Sequence, residues 1–205
     1  MKIAVKCNAL QREEWLRKGC GRADVQFISE LSALADGSFS VFADLLYTPD
    51  TIYPDFPAGT TVFVHAVTAT CSSLPVPAIR INAWPGFLGR TVTELAADSP
   101  TLLEQAAGVM ATLGWKYQVV PDIPGMLSGR VVSSIINEAY FALAEEVSTR
   151  EEIDTAMKLG TNYPYGPFEW AEKIGVREVY RLLREMSLAD DRYQPAGLLA
   201  EAGTL

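Results

Sequence analysis

The chain has 205 residues, 49% hydrophobic and 20% charged, enough for a buried core in one ordinary domain or two small ones. Its 25 acidic and 17 basic residues leave a net charge of −8, which removes the driving force for nonspecific phosphate-backbone binding and excludes nucleic acid as an expected partner. Cys7, Cys20 and Cys71 are odd in number and lack metal or redox spacing. No apolar run reaches the roughly 18 residues of a membrane span, and no charged leader precedes an apolar core. The expectation is a cytoplasmic protein with reduced thiols, no metal site and no membrane contact.

Lys2 to Val5 reads as a short buried strand, followed by an amphipathic stretch, Leu10 to Arg17, with Leu10, Trp15 and Leu16 as its apolar positions and Gly19 and Gly21 as its stop. Further strand candidates are Val25 to Ile28, Ser38 to Ala43, the β-branched Thr61 to Val67, and Ala78 to Asn82. Strands interleaved with short helical or loop segments predict a mostly parallel α/β sheet. The next helix is punctuated at both ends: Ser99 as cap, Pro100 in the first turn and Gly114 as terminator. Trp115 to Val120 follows as a strand, and Pro121 to Gly125 supplies the domain boundary, giving domains 1–122 and 123–205.

Beyond that boundary the pattern is helical. Val131, Val132, Ile135, Ile136, Ala139, Tyr140, Leu143 and Val147 trace a wide apolar face, expected to be core. Thr149 and Glu152 form a capping box for a helix ending at Gly160. Tyr163-Pro164-Tyr165-Gly166-Pro167-Phe168 is a stiff turn, with Pro167 opening a third helix that Gly175 closes. Val179, Leu182, Leu183 and Met186 mark a fourth, and Leu198 and Leu199 are expected to dock the tail.

Read with GRVVSSIINEAYFALAEEVS, the segment TREEIDTAMKLGTNYPYGPFEWAEKIG resembles the C-terminal helical domain of the 3-hydroxyacyl-CoA dehydrogenases. RINAWPGFLGRTVTELAADSPTLLEQAAGVMATLGWKYQVVPDIPGMLSGRVV is similar to the second half of that family's Rossmann domain. There an HFFNPVP-type segment leads to a glutamate-bearing strand, a helix, a final strand and a DTPGF…NR junction. ATCSSL, residues 69–74, is similar to SNTSSL. These matches cover about two thirds of the chain in the family's order. The fold they imply is α/β plus all-α: a shortened Rossmann-like N-terminal domain followed by a helical domain of the family's C-terminal type. The family oxidises 3-hydroxyacyl-CoA to 3-ketoacyl-CoA with NAD, using a histidine base oriented by a glutamate.

Carried over residue by residue, the resemblance puts the glutamate at Glu94 and the SNTSSL serine at Ser72, as the candidate catalytic pair. It assigns Ser73, Asn82, Arg130, Pro164, Gly166, Pro167 and Phe168 to acyl-CoA binding. The histidine position falls at Ile79, or at Arg80 after a one-residue slip, and the asparagine position at Gly129. His65, the lone histidine, lies on a strand that is structural in the family. Arg80, Arg90 and Arg130 flank matched segments and are candidates to meet CoA phosphates.

Where the family has GxGxxG, Val5 to Glu13 contains no glycine, and no acidic residue at the end of the next strand stands out as a ribose partner. The expectation is therefore a dehydrogenase-like protein without standard NAD-dependent hydride transfer. NAD is expected only if the family activity is retained. Acyl-CoA binding or a homodimer through the helical domain is left as its remaining role. The alternatives are an active NAD-dependent dehydrogenase of fatty-acid metabolism with unorthodox residues, and an acyl-CoA-binding protein in which Glu94 transfers a proton.

Overall fold

The computed structural model describes residues 1–34 and 38–204; Leu205, last residue of the expected second domain, lies outside them. The chain divides into two compact units, Met1–Met126 and Leu127–Leu205. Residues 123–126, which the sequence predicts in the second domain, lie with the first. They are held there by Arg80 donating to the Ile123 carbonyl at 3.3 Å and by the Gly125 amide donating to the Val67 carbonyl.

The first unit is a seven-stranded sheet in the order β2-β1-β3-β4-β5-β6-β7. Its strands are β1 (Lys2–Lys6), β2 (Asp24–Ile28), β3 (Val41–Asp44), β4 (Thr61–His65), β5 (Ile79–Ile81), β6 (Val92–Ala96) and β7 (Lys116–Val119). All neighbours pair in parallel except β5 with β6. Strand β6 has no strand signature of its own in the sequence and follows only from the resemblance. Its sequence, VTELA, mixes charge into a short run between turn-rich segments.

Helices α1 (Ala9–Lys18) and α2 (Pro100–Leu113) cover one face of the sheet. Ile3, Val5, Val41, Phe63, Ile79, Ile81 and Leu95 meet Trp15 of α1 and Ala106, Val109 and Met110 of α2 there. Helix α2 starts and stops where its punctuation predicts: Ser99 accepts from the Leu102 amide and Gly114 is left-handed. The opposite face is covered by loop aromatics. Tyr47, Tyr53 and Phe56 pack with Phe39 and Phe42 over Ala4, Val62 and Val64.

Helix α1 corrects the sequence reading. Its Leu10 and Leu16 are exposed, and Gln11 and Glu14 are buried beside Trp15. The buried positions are polar because they bond the main chain of a loop, as set out below. At the far border of the sheet, the Val120 amide turns back to the Leu95 carbonyl. By strand alternation the Val119 carbonyl faces the free side, where the Gln118 side chain donates to it at 3.1 Å.

The second unit is helical: α3 (Ser128–Ala144), α4 (Arg150–Thr161), α5 (Pro167–Ile174), α6 (Val176–Ser187) and α7 (Gly197–Thr204). Its core joins Ile136, Ala139 and Tyr140 to Phe168, Trp170, Ile174, Val179, Leu182, Leu183 and Leu199. Buried Asn137 of α3 ties down the tail by donating to the Gln194 carbonyl and accepting from the Ala196 amide, both at 2.8 Å.

The apolar face expected over Val131 to Val147 is only partly core. Val131 is 47% and Val147 69% exposed. The helix stops at Ala144 and Glu146 turns at φ 56, so Val147 falls outside it. The inner side of α3 instead buries polar Ser133 and Asn137.

Candidate functional site

In an open α/β sheet, ligands bind beyond the carboxyl ends of the strands where the connections reverse direction. Here that point lies between β1 and β3, because the chain passes from β1 outward to β2 and then back across to β3. Helix α1 starts there, with Asn8 and Gln11 forming a closed capping box. The Gln11 carboxamide crosses the crevice, donating to the Leu45 carbonyl at 2.8 Å and the Ala83 carbonyl at 3.2 Å.

Beside it, Asp44 at the end of β3 is fully buried. It accepts from the Leu46 amide at 2.9 Å and the Tyr53 hydroxyl at 3.1 Å, with Lys6 at 3.8 Å. Burial raises the Asp44 carboxyl above its ordinary range, against the pull of these partners. Tyr53 is raised by burial and by Asp44. The crevice is thus occupied by side chains of the protein itself.

Helix α1 continues this pattern along one side. Glu14 accepts from the amides of Gly86 at 2.7 Å and Gly89 at 3.1 Å. Lys18 donates to the carbonyls of Leu88 at 3.0 Å and Arg90 at 2.6 Å, and to the Thr93 hydroxyl at 2.6 Å. Burial lowers Lys18 to about 8, with Glu14 opposing the shift. Three side chains, each about one turn apart, therefore hold loop 83–90 by its main chain. Sequence reading missed all three. The only available signal was their shared helical side, at spacings of three and four.

The candidate catalytic residues have visible local roles. Ser72 and Ser73 lie on an exposed 3-10 turn; the Ser72 hydroxyl pairs with Thr70 at 3.1 Å, and Ser73 donates to the Thr70 carbonyl at 2.8 Å. Asn82 is buried and accepts from the Trp84 amide at 3.1 Å, shaping the turn after β5. Glu94 is half-buried on β6. Ile81 pairs with Leu95, so continuing the antiparallel register by one residue sets Asn82 across from Glu94.

Ile79 is buried core. Arg80 is fully buried and bonded throughout: to the Ala66 carbonyl at 2.8 Å, the Val67 carbonyl at 3.1 Å, Asp122 at 2.5 Å and the Ile123 carbonyl at 3.3 Å. Asp122 also accepts from the Cys71 amide at 3.0 Å. Burial alone would raise Asp122, but the bonds from Arg80 and Cys71 outweigh it and hold the carboxyl below its ordinary range. Cys71 is pushed up to about 12 by burial and by Asp122, which leaves an inert thiol. Burial lowers Arg90, with Glu94 opposing, and its guanidinium lies 3.9 Å from the Phe87 ring centroid.

His65 ends β4. Its Nδ1 accepts from the Ala83 amide at 3.0 Å and lies 3.3 Å from the Ile81 carbonyl. Burial lowers it to about 4, against the Ile81 carbonyl, so the imidazole is neutral near pH 7.

In the helical unit, Gly129 is buried on α3, and Arg130 donates to the Tyr193 hydroxyl at 2.7 Å with its guanidinium 4.5 Å from that ring's centroid. The segment from Pro164 to Phe168 joins α4 to α5. Asp154 of α4 accepts from the amides of Phe168 at 2.8 Å and Glu169 at 3.2 Å, supplying the cap of α5 from another helix. A Cβ on Gly166 would lie 2.3 Å from the Asp154 carboxylate, so only glycine fits. Phe168 packs on Tyr140 at 5.0 Å, with Arg150 over both rings. A shallow groove of about 620 Å³ is lined by Lys158, Pro164, Tyr165, Glu169, Glu172 and Lys173.

Among the described residues, no group of three or more His, Cys, Asp or Glu side chains is placed to hold a metal, and no helix is long and apolar enough to cross a membrane.

A mostly parallel α/β sheet followed by a helical unit defines a Rossmann-like architecture with a separate helical domain. Residues 125–204 match the family model of the 3-hydroxyacyl-CoA dehydrogenase C-terminal domain.

It is 37% identical to 3-hydroxyadipyl-CoA dehydrogenase of Escherichia coli K12 over 117 residues, 56% of this chain and 25% of that protein. It is 38% identical to 3-hydroxybutyryl-CoA dehydrogenase of Bradyrhizobium diazoefficiens over 116 residues, 54% of this chain and 39% of that one. The matches thus span well under half the length of these curated relatives. The crystal structure of (S)-3-hydroxybutyryl-CoA dehydrogenase from Ralstonia eutropha shares the fold at TM-score 0.71 and 15% identity, covering 98% of this chain and 92% of that one.

Proposed function

We propose that this chain is a cytoplasmic 3-hydroxyacyl-CoA dehydrogenase relative without NAD-dependent hydride transfer. In this reading it works as a homodimeric binding partner assembled through its helical unit, with acyl-CoA as its ligand class. The observation that carries the reading is the self-filled crevice. A dinucleotide pyrophosphate needs bare backbone at the first helix, whereas Gln11 bridges Leu45 and Ala83 and Asp44 is buried under Tyr53. These residues do not fit the cofactor.

The chemistry of the other positions supports the same reading. Arg80 has its donors committed to main-chain carbonyls and the Asp122 carboxylate. His65, at about 4, is too weak a base to take an alcohol proton efficiently near neutrality. Ser72, Ser73 and Asn82 bond their own turns. For assembly, Leu127 just before α3 and Val131 and Phe141 on it present exposed apolar surface, which suits an isologous contact.

The test is a melting series with NAD and acetoacetyl-CoA supplied separately, since a ligand of the folded state raises its melting point. Acetoacetyl-CoA is expected to raise it and NAD to leave it unchanged, with NADH absorbance flat in the presence of acetoacetyl-CoA. An NAD-dependent rise, or turnover above blank, would overturn the proposal and favour an active dehydrogenase. Light scattering is expected to give twice the chain mass, and Val131→Glu to halve it.

A further inference from the structure

Loop 83–90 is held from two directions. Helix α1 grips it through Gln11, Glu14 and Lys18. Strand β4 grips it through His65, whose Nδ1 accepts from the Ala83 amide. Both polar groups of the Ala83 main chain are therefore engaged, the carbonyl by Gln11 and the amide by His65. The second contact depends on protonation in a way the others do not.

A neutral imidazole can offer Nδ1 as an acceptor; the imidazolium carries hydrogen on both nitrogens and can only donate. The Ile81 carbonyl, 3.3 Å from the same nitrogen, is positioned to accept from it. One ring nitrogen thus has two main-chain partners of opposite character. Proton uptake exchanges the Ala83 amide for the Ile81 carbonyl.

We infer that His65 is a proton-operated toggle for loop 83–90: neutral, it holds the loop's first amide, and protonated, it releases that amide and turns to β5. Release acts on a segment whose Trp84, Phe87 and Leu88 are buried, so the open state exposes apolar surface.

The groups around the toggle are few. From α1, Glu14 and Lys18 face the loop and are bonded to its main chain. From α2, the residues sharing this core are apolar Ala106, Val109 and Met110; β3 and the residue after it contribute Ala43 and Leu45, and β5 contributes Ile79 and Ile81. Asp44, Lys6 and Tyr53 are bonded to one another at the neighbouring strand ends.

Burial depresses the closed-state titration to about 4, from 6.5 in an exposed imidazole. The open state therefore takes up a proton first as pH falls, and closure weakens between those values. The interval sets a ceiling of roughly 300-fold on the opening equilibrium, and about 20-fold between pH 7 and pH 5.

The experiment is amide hydrogen exchange across residues 83–90 at both pH values, expressed as protection factors, in the intact protein and in His65→Gln. The glutamine can accept from the Ala83 amide at either pH. The intact protein should lose roughly 20-fold protection at Ala83, Gly86 and Gly89 at the lower pH, while His65→Gln holds its protection. Equal protection at both pH values in the intact protein overturns the toggle. An identical loss in His65→Gln also overturns it.

Should His65→Gln fail to fold, the imidazole signal of the intact protein decides, because this is the sole histidine in the sequence. A midpoint well below 6.5 that coincides with loop release supports the toggle; a midpoint near 6.5 sinks it. Neither readout depends on cofactor binding or turnover.

Discussion

The two units solve the same problem, satisfying buried main-chain groups, over very different distances along the chain. In the helical unit the partners are mostly close in sequence, the exception being Asn137, which reaches residues 194 and 196. Thr149 and Glu152 cap α4 within one turn, and Asp154 reaches the amides of Phe168 and Glu169 only 14 and 15 residues on. In the sheet unit they are remote. Gln11, Glu14 and Lys18 reach loop 83–90 across 70 to 75 residues, and Arg80 reaches Asp122 across 42. A short Rossmann-like domain with one face covered by a loop has few helices to order its connections, and long-range polar side chains take that task. Loss of one such group should therefore unsettle segments distant in sequence, whereas loss of a helical cap should stay local.

The sharpest way to break this comparison is Arg80→Met. It strands the Asp122 carboxylate and is expected to destabilise the protein by about 3–5 kcal/mol in urea unfolding. Asp122 titrates below its ordinary range in the folded state. Its contribution is therefore present above the unfolded carboxylate pKa and is lost as pH falls through the lowered value. Arg80→Met should flatten that acid-side slope.

Next comes Gly166→Ala, expected to cost about 2–3 kcal/mol because the new methyl collides with Asp154. Hydrogen exchange should place the damage at α4 and α5. A larger loss than for Arg80→Met would reverse the ranking of the two units.

Gln11→Ala leaves two buried carbonyls without their donor and should cost about 2 kcal/mol. Its informative readout is distance: amide protection should fall at residues 83–90 as well as in α1. Exchange confined to α1 would refute the long-range clamp. The smallest effect is expected for Thr149→Ala, about 1 kcal/mol, with fraying limited to the first turn of α4.

The same contrast explains what the sequence disclosed. Helices α2, α4 and α5 were legible because their signals are adjacent in the chain: Ser99 with Pro100 and Gly114, Thr149 with Glu152, Pro167 with Gly175. Most strands were legible from β-branched or apolar runs, although β6 needed the resemblance. The polar clamps were not legible, since a glutamine that bonds a carbonyl 72 residues away looks like any solvated helix residue. Leu10 and Leu16 were assigned inward by hydrophobicity alone, and the partners of Gln11 and Glu14 decided otherwise. Asp154 gave no warning either: its role appears only once α4 and α5 are side by side.

The missing glycines between Val5 and Glu13 were informative for a local reason, because close backbone approach needs residues without side chains. What fills the crevice instead, Asp44 under Tyr53 beside Lys6, drew on a loop that sequence reading left unassigned.

The small amide bond from Gln118 to the Val119 carbonyl has a consequence for how the protein behaves in a crowded cell. An open sheet border is a template on which a passing strand can polymerise. By occupying an outward acceptor with a neighbouring side chain, the border denies an incoming strand one of its first footholds. Replacing Gln118 with valine would restore that foothold and add β propensity, a combination that should shorten the lag before fibrils form under gentle agitation.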